Sequence, residues 1–386
     1  MRICTYGTYD LQQPRTRVIL EGLRRAGADV VLCHADLWKD TSQKVHLARH
    51  PAALLRQLAV ARGVYQTLAR QRRSLGACDV VVYPHMGQFD LLVSAPWFRR
   101  HGIPVVWDAL ISLHDTVVSD RRLVNARSIW AWLLKQLDTW VGRLADCVIV
   151  DTQQNLDYWR ASAGIPVSKL HVVPVGAEDM FVGAREPLPS RTADQPMRVL
   201  FYGQYIPLHG VDTIVRAAHE LRTAQHITWT MVGTGQERQL AESLAAELEV
   251  TNVRFVDWVP YQHVPRTVAQ CDVGLGIFGL TGKAQRVVPN KAYQILAAGR
   301  PLVTADTPAS RDLLCRDGLE GAWLVEPGDP AALAASILDL AREPHRASAL
   351  ANAGAELFDR HYTSSEVGRQ AAGVFARLTA TDLARR

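Results

Sequence analysis

FGLTGKAQRVVPNKAYQILAAGRPLVT, from Phe278 to Thr304, passes from a polar loop through a short helix into an apolar strand. Lys283 and Arg286 lie in the loop. Pro289 suits the first turn of a helix, where its missing N–H would be unpaired anyway. Ala292, Ile295 and Leu296 follow at helical spacing. Gly299 is placed to end the helix, and Pro301 opens the strand LVTAD. A basic loop thus feeds the positive end of a helix inside an α/β pattern, which is where a phosphate is held.

The same alternation fills the chain twice. In the first half, RICTYG (2–7), ADVVLCH (28–34), CDVVVYPH (78–85), IPVVWDALIS (103–112), ADCVIVDT (145–152) and LHVVPVGAE (170–178) read as strands. In the second, MRVLFYG (197–203), HITWTMVG (226–233), VRFVDWV (253–259), CDVGLGIF (271–278) and GAWLVEPGD (321–329) do so. Helical segments separate them, and repeated strand–helix alternation implies doubly wound parallel sheets. The expected fold class is therefore α/β, with two Rossmann-like domains facing a cleft. The expected division is 1–178, a linker at 179–196 rich in Pro, Ala and Ser, then 197–360. A final helix, 361–386, is expected to pack back on the first domain.

The length of 386 residues suits two such domains, and the composition is that of an ordinary globular chain. No apolar run reaches the roughly 18 residues of a spanning helix. The start, MRICTYGTYD, has no secretory h-region. Six cysteines without metal-ligand spacing, three of them (Cys4, Cys33, Cys147) in or beside strands, read as buried reduced thiols of a cytoplasmic protein.

A net charge of +5 does not by itself imply nucleic acid. The charge is uneven, however. No acidic residue occurs from Thr41 to Cys78, where Lys44, Arg49, Arg56, Arg62, Arg70, Arg72 and Arg73 are interleaved with Leu54, Leu55, Leu58, Val64 and Leu68. Two readings stand: a surface for anionic lipid or a lipid-linked phosphate, or a solvated helix packed on its own sheet. In RSIWAWLLKQLDTWVGRLA (127–145), Ile129, Leu133, Leu137, Val141 and Leu144 share a side, and its three tryptophans are expected in the core rather than in a membrane belt.

Two turns bear on ligands. VGTGQER (232–238) begins like a dinucleotide fingerprint, but Arg238 stands at the third glycine, so a tight strand-to-helix turn is the plainer reading. In YGQYIPLHGVDTIVRAA (202–218), Gly210 leads directly into a helix whose N–H groups suit a phosphate, with His209 as a donor; alternatively Gly210 is a turn residue and His209 a surface side chain.

Taken together, these segments resemble the nucleotide-sugar domain of the GT-B glycosyltransferases, specifically the large retaining family numbered four. GQYIPLHGVDTIVRAA is similar to its Gly-Arg-Leu, Lys-Gly and helix; QILAAGRPLVT stands where the family has Glu-Ala-Met-Ala-x-Gly-x-Pro-Val-Val; LVEPGDPAALAASI resembles the next segment. The likeness covers about 195–345, and LHVVPVGAE resembles the end of the family's first domain.

The resemblance implies a sugar transfer from a nucleotide-diphosphate donor, with retention, with no metal and no cofactor. Its acceptor would be a polysaccharide, glycolipid or lipid-linked intermediate, at a cytoplasmic site or peripherally at the inner membrane face. The family's donor-gripping Arg and Lys correspond to Gln204 and His209, and its two glutamates to Arg286 and Gln294. Lys283, Arg286 and Lys291 are expected to compensate for the lost cations, Gln294 to hold the ribose, and Gly233 and Trp258 to flank the base. In the first domain, the Gly7 loop and Asp108 are expected to face the cleft, with Asp108 and His114 as the catalytic candidates. Leu110 replaces the family's His, so His114 or Asp115 would supply the polar group. A catalytically silent nucleotide-sugar-binding relative and a GT-B nucleotide-sugar epimerase remain as alternatives.

Overall fold

The structure is a computed structural model that describes residues 1–37, 51–73, 75–188, 195–224 and 226–385. The first sheet contains β1 (Arg2–Gly7), β2 (Asp29–His34), β3 (Val80–Tyr83), β4 (Val105–Asp108), β5 (Cys147–Val150) and β6 (Leu170–Val172) in the order β2-β1-β3-β4-β5-β6. Every pairing is parallel. Parallel sheets are covered by helices on both faces, so their inner strands are apolar throughout. VVVY, VVWD and CVIV, the three inner strands after β1, are buried at every position.

The second sheet repeats the plan with β7 (Met197–Tyr202), β8 (Ile227–Val232), β9 (Val253–Val256), β10 (Val273–Leu275) and β11 (Leu302–Ala305). A small hairpin, β12 (Cys315–Arg316) and β13 (Leu319–Glu320), precedes β14 (Trp323–Val325), and the sheet order is β14-β11-β10-β7-β8-β9. The strand order reverses between β7 and β10, so the crevice beyond their carboxyl ends is the natural ligand position. Gly203 follows β7 there, and the 276–289 loop follows β10.

Two helices unforeseen from the periodicity, Gln88–Arg100 and Pro344–His361, cover sheet faces. The last helix, Ser364–Arg385, lies on the Pro14–Arg25 helix of the first domain. The two meet backbone to backbone: a Cβ on Gly368 would sit 1.9 Å from the carbonyl carbon of Gly22. Ala177 bridges to Thr363, and Ser364 Oγ donates to the Ala177 carbonyl at 3.2 Å.

Two expectations are corrected here. Trp130, Trp132 and Trp140 are not in the core but 66%, 52% and 49% exposed, and Ile129 and Leu133 are exposed with them. The inward side of Ile129–Leu144 is Ala131, Leu137, Asp138, Val141 and Gly142. A Cβ on Gly142 would lie 2.4 Å from Ile165 Cδ1, so this close-packed side has no room for an indole.

Asp108 does not open onto a cleft. Its carboxylate is 2% exposed and takes Nε and Nη2 of Arg15, which is itself fully buried, at 3.0–3.3 Å. Arg15 Nη1 also donates to the carbonyls of Val173 and Pro174, tying β4 to the end of the first domain.

The basic stretch lies partly outside the described residues: Lys44 and Arg49 do, as do the side chains of Leu54, Leu55, Arg56 and Leu58. Arg62, Arg70 and Arg73 are exposed, Leu68 is fully buried, and Arg72 stacks over Trp97 at 4.7 Å.

All six cysteines are free thiols, and Cys4, Cys33, Cys147 and Cys271 are buried. No described helix is long and apolar enough to cross a membrane.

Removing one partner of a buried ion pair strands the other, at a cost of about 3–5 kcal/mol. Asp108→Ala should therefore lower the denaturation midpoint sharply, and an unchanged midpoint would show that the pair does not hold the fold. Gly368→Ala should cost about 1–3 kcal/mol through overpacking against Gly22, measured by denaturant titration.

Candidate active site

The floor of the crevice is two interlocked glycine turns. Gly203 and Gly233 carry φ of 139° and 130°, a region L side chains avoid, and a Cβ on Gly233 would fall 1.9 Å from the Gly203 oxygen. Tyr205 N–H then donates to Thr234 O at 2.9 Å, locking one turn on the other. Gly210, at φ 60°, is the N-cap of Val211–Glu220 and offers no side-chain cap, so first-turn N–H groups stay available. Arg238 Nη1 donates to the carbonyls of Gly233 and Val256 at 2.6 and 3.2 Å, and its guanidinium lies over Tyr205 and Phe255. The dinucleotide reading fails for that reason: the third-glycine position is filled by a side chain that closes the turn.

Lys291 stands at the second position of the Asn290–Ala297 helix, and its side chain points into this crevice. It is 5% exposed, its ammonium has no hydrogen-bond partner among the described residues, and it lies 3.9 Å from the centre of the Phe201 ring. A Cβ on Gly203 would be 3.1 Å from that ammonium and 3.3 Å from His209 Cε1. Burial holds the Lys291 pKa well below its usual value. Burial, and then Lys291 itself, push His209 well down too, so His209 is neutral at pH 7.

His209 Nδ1 is hydrogen-bonded to the Gln204 carbonyl. An acceptor there requires Nδ1–H, so a neutral His209 presents a bare Nε2 to the crevice rather than the donor expected. Gln204 is exposed, and its Oε1 receives Arg121 Nη2 from the first domain at 2.9 Å. A cation thus returns to the Gln204 position, supplied from across the crevice.

The other two expected cations are already paired. Arg286 Nη2 binds Asp115 Oδ2 at 2.7 Å, its guanidinium covers the Tyr158 ring at 4.3 Å, and its backbone oxygen accepts from Thr152 Oγ1 at 2.6 Å. Lys283 Nζ donates to Thr116 Oγ1 at 2.9 Å and lies 3.9 Å from Asp120 Oδ2. Thr281 Oγ1 donates to Asp120 Oδ1 at 3.4 Å. These contacts join the 281–286 loop to a π-helical segment, Asp115–Asp120, of the first domain. Asp120 is fully buried, and burial raises its pKa against the pull of Lys283.

The remaining expected residues are dispersed. Gln294 is 3% exposed and lies in a relay: Tyr202 Oη donates to its Oε1 at 2.9 Å, its Nε2 donates to Tyr261 Oη at 2.8 Å, and Tyr261 donates to Glu178 at 2.8 Å. Its amide oxygen thus accepts one hydrogen bond, from Tyr202, within the protein. Trp258 is 61% exposed, beyond β9. A Cβ on Gly7 would lie 2.4 Å from Asp90 Oδ2, so the neighbour of that glycine is a first-domain carboxylate.

His114 lines a cavity of about 140 Å³ with Ser112, Asp115, Lys135, Asp138, Tyr158 and Trp159. Asp138 accepts from Ser112 Oγ and from the Leu113 and His114 N–H groups, yet burial raises its pKa to about 6. Asp120, Arg121 and Glu178 were missed from sequence. The run HDTVVSDRR (114–122), two acids followed by two bases soon after a strand end, was the available signal for the first two.

Residues 196–343 match the family model described as glycosyl transferases group 1, and residues 15–179 match that for glycosyltransferase family 4. A probable glycosyltransferase, WbjE of Pseudomonas aeruginosa, is 27% identical over 63% of this chain and 62% of its own length, so the chain spans under two thirds of that relative. A GDP-mannose-dependent α-(1-6)-phosphatidylinositol monomannoside mannosyltransferase of Mycolicibacterium smegmatis is 26% identical over 80% of this chain and 78% of its own.

Among solved structures, a sucrose-phosphate synthase of Thermosynechococcus elongatus superposes with a TM-score of 0.72 at 16% identity, covering 98% of this chain and 99% of its own. HepE of Anabaena, solved with UDP-glucose, gives 0.68 at 16%, covering 98% and 100%. Two facing Rossmann-like domains, each matched by a glycosyltransferase model, assign this chain to the GT-B glycosyltransferases of the group 1, family 4 type.

Proposed function

We propose that the protein moves a hexosyl group from a nucleoside-diphosphate sugar to an acceptor hydroxyl presented by the first domain. The anomeric configuration is retained, and protein cations rather than a metal or cofactor balance the leaving diphosphate. The observation that carries this reading is the Lys291 ammonium, buried and without a hydrogen-bond partner among the described residues, beside the Gly203 turn. A buried charge without a partner is costly, and a diphosphate is the partner that such a turn and the Val211–Glu220 helix N-terminus would accept.

In this mechanism the acceptor oxygen bonds to the anomeric carbon as the bond from that carbon to the diphosphate breaks. The acceptor proton passes to a diphosphate oxygen. Lys291 and Arg121 meet the charge that develops on the leaving group, and the helix N-terminus adds its dipole. The Arg286–Asp115 and Lys283–Thr116 contacts close the crevice against water. The acceptor belongs to the glycan or lipid-linked class, encountered peripherally at the inner face of an anionic membrane. UDP-glucose, bound by HepE, is the first donor to test, and GDP-mannose, named for the mycobacterial relative, the second.

A thermal-shift panel of UDP-, GDP-, ADP- and dTDP-sugars tests the reading, since a ligand at about 100 times its Kd adds about 2.7 kcal/mol to a folded protein. One hit should weaken about 10- to 100-fold in Lys291→Ala, the worth of one charge-assisted hydrogen bond. An undiminished hit removes Lys291 from the donor site, and a silent panel removes the donor reading.

Proton linkage gives a second check. The free Lys291 pKa is depressed, and a bound diphosphate raises it, so binding takes up a proton wherever the free lysine is neutral. Affinity should fall as pH rises through the free value, and calorimetry in buffers of different ionisation heat should show the uptake. Buffer-independent heats with a flat pH profile would exclude that role.

A further inference from the structure

The Ile129–Leu144 helix is apolar on the side turned away from the protein as well as on the side turned in. Ile129, Trp130, Trp132, Leu133 and Trp140 are 63%, 66%, 52%, 39% and 49% exposed. Ile129, Trp132, Leu133 and Trp140 recur at i, i+3, i+4 and i+11, so they form one stripe along the helix. The adjoining helix Gln88–Arg100 adds exposed Phe89 and Val93. A helix that is apolar on both faces is ordinarily covered on both, and exposed aromatic patches of this kind mark an interaction surface.

The charges around the stripe select the partner. From Arg121 to Ala145 the basic residues are Arg121, Arg122, Arg127, Lys135 and Arg143, and all but Arg121 are exposed. The one carboxylate in that stretch, Asp138, is 3% exposed and turned inward onto Ser112. The surface therefore combines indole rings with cations and shows no exposed carboxylate of its own. A second copy of this chain in a two-fold contact would set these cations against themselves. Tryptophan together with Lys and Arg is instead the composition of a helix lying at an anionic headgroup layer.

Position gives this surface a use. Asp138, on the inner side of this helix, accepts from the His114 N–H, and the adjacent Asp115 binds Arg286 of the second domain, so the helix stands beside the crevice. We propose that the outward face of Ile129–Leu144 docks the first domain on an anionic lipid bilayer and seats the crevice mouth at headgroup level. An acceptor carried on a lipid then reaches the transfer site without leaving the membrane. The docking does not depend on the donor assignment, because it rests on a surface outside the crevice.

Co-sedimentation of the full chain, without donor, tests this on vesicles of equal parts phosphatidylglycerol and phosphatidylcholine and on vesicles of phosphatidylcholine alone. The expected result is binding to the mixed vesicles, weaker binding to the neutral ones, a blue shift of tryptophan emission, and weakening by salt. The triple variant Trp130→Ser, Trp132→Ser, Trp140→Ser should lose about tenfold or more in partitioning. Its thermal midpoint without vesicles should hold, since the replaced rings are exposed. Lys135→Ala with Arg143→Ala should weaken binding and flatten its salt dependence. Absence of wild-type binding to the mixed vesicles overturns the proposal, as does equal binding by the triple variant. So does a wild-type dimer that the triple variant converts to monomer, which would make a second copy the occupant. Any of these leaves the Lys291 reading standing, and a silent donor panel leaves the docking standing.

Discussion

Two cations of the second domain are neutralised by two carboxylates of the first, and the geometry of the crevice follows from that. Arg286 with Asp115, and Lys283 with Thr116 and Asp120, hold the 281–286 loop against the Asp115–Asp120 segment. Such buried pairs add little net stability, because desolvation offsets most of the attraction. Their effect is on geometry: a loop whose charges are matched only when the domains face each other favours that facing. With both cations spent, Lys291 is left as the expected cation whose charge is unmatched inside the crevice. Paired cations thus occupy the domain contact, and Lys291 lies apart from them beside the Gly203 turn.

Compared with the family pattern that the sequence resembles, the charge has moved across the crevice. Position 286 carries an Arg where that pattern has a glutamate, and carboxylates appear opposite it, at Asp115 and Asp120. Gln204 stands where the pattern has Arg, and Arg121 of the facing domain supplies the guanidinium. Position 294, a second glutamate in the pattern, is neutral here, which suits its place between the Tyr202 and Tyr261 hydroxyls. A carboxylate there would lose the N–H that binds Tyr261 and would add a charge close to Glu178 at the end of the same relay. These exchanges keep local charge balanced while altering which domain provides each sign.

The sheets were legible because parallel strands buried on both faces leave continuous apolar runs, as in VVVY and CVIV. The turns were legible because glycine at 203 and 233 has a backbone cause. Other features depend on contacts distant in sequence. Asp108 looked like a crevice residue because it ends a strand, but Arg15, 93 positions earlier, claims its carboxylate. His209 looked like a donor because the ring has two nitrogens, and only the nearby Gln204 carbonyl fixes which one carries hydrogen. The tryptophans of 127–145 were misplaced for a different reason. Helical periodicity marks a stripe as apolar but does not say which side of the helix meets the protein, and small residues at Ala131 and Gly142 took the inner side.

A single crossover supplies the first domain's side of the charged domain contact. Between Asp108 at the end of β4 and Cys147 at the start of β5, the chain passes the His114 cavity and the Asp115 and Asp120 carboxylates. It then passes Arg121 and the exposed face of Ile129–Leu144. Asp138 ties this segment to itself, its side chain on the helix accepting from Ser112 and from the His114 N–H at the segment's start. The outward helix face and the closing carboxylates are thus parts of one braced unit rather than separate decorations of the sheet. Anything that fixes the helix, a membrane surface included, also fixes the platform on which the second domain's loop closes. The closing carboxylates thus sit on the braced side of the crevice, and the second domain's loop meets them there.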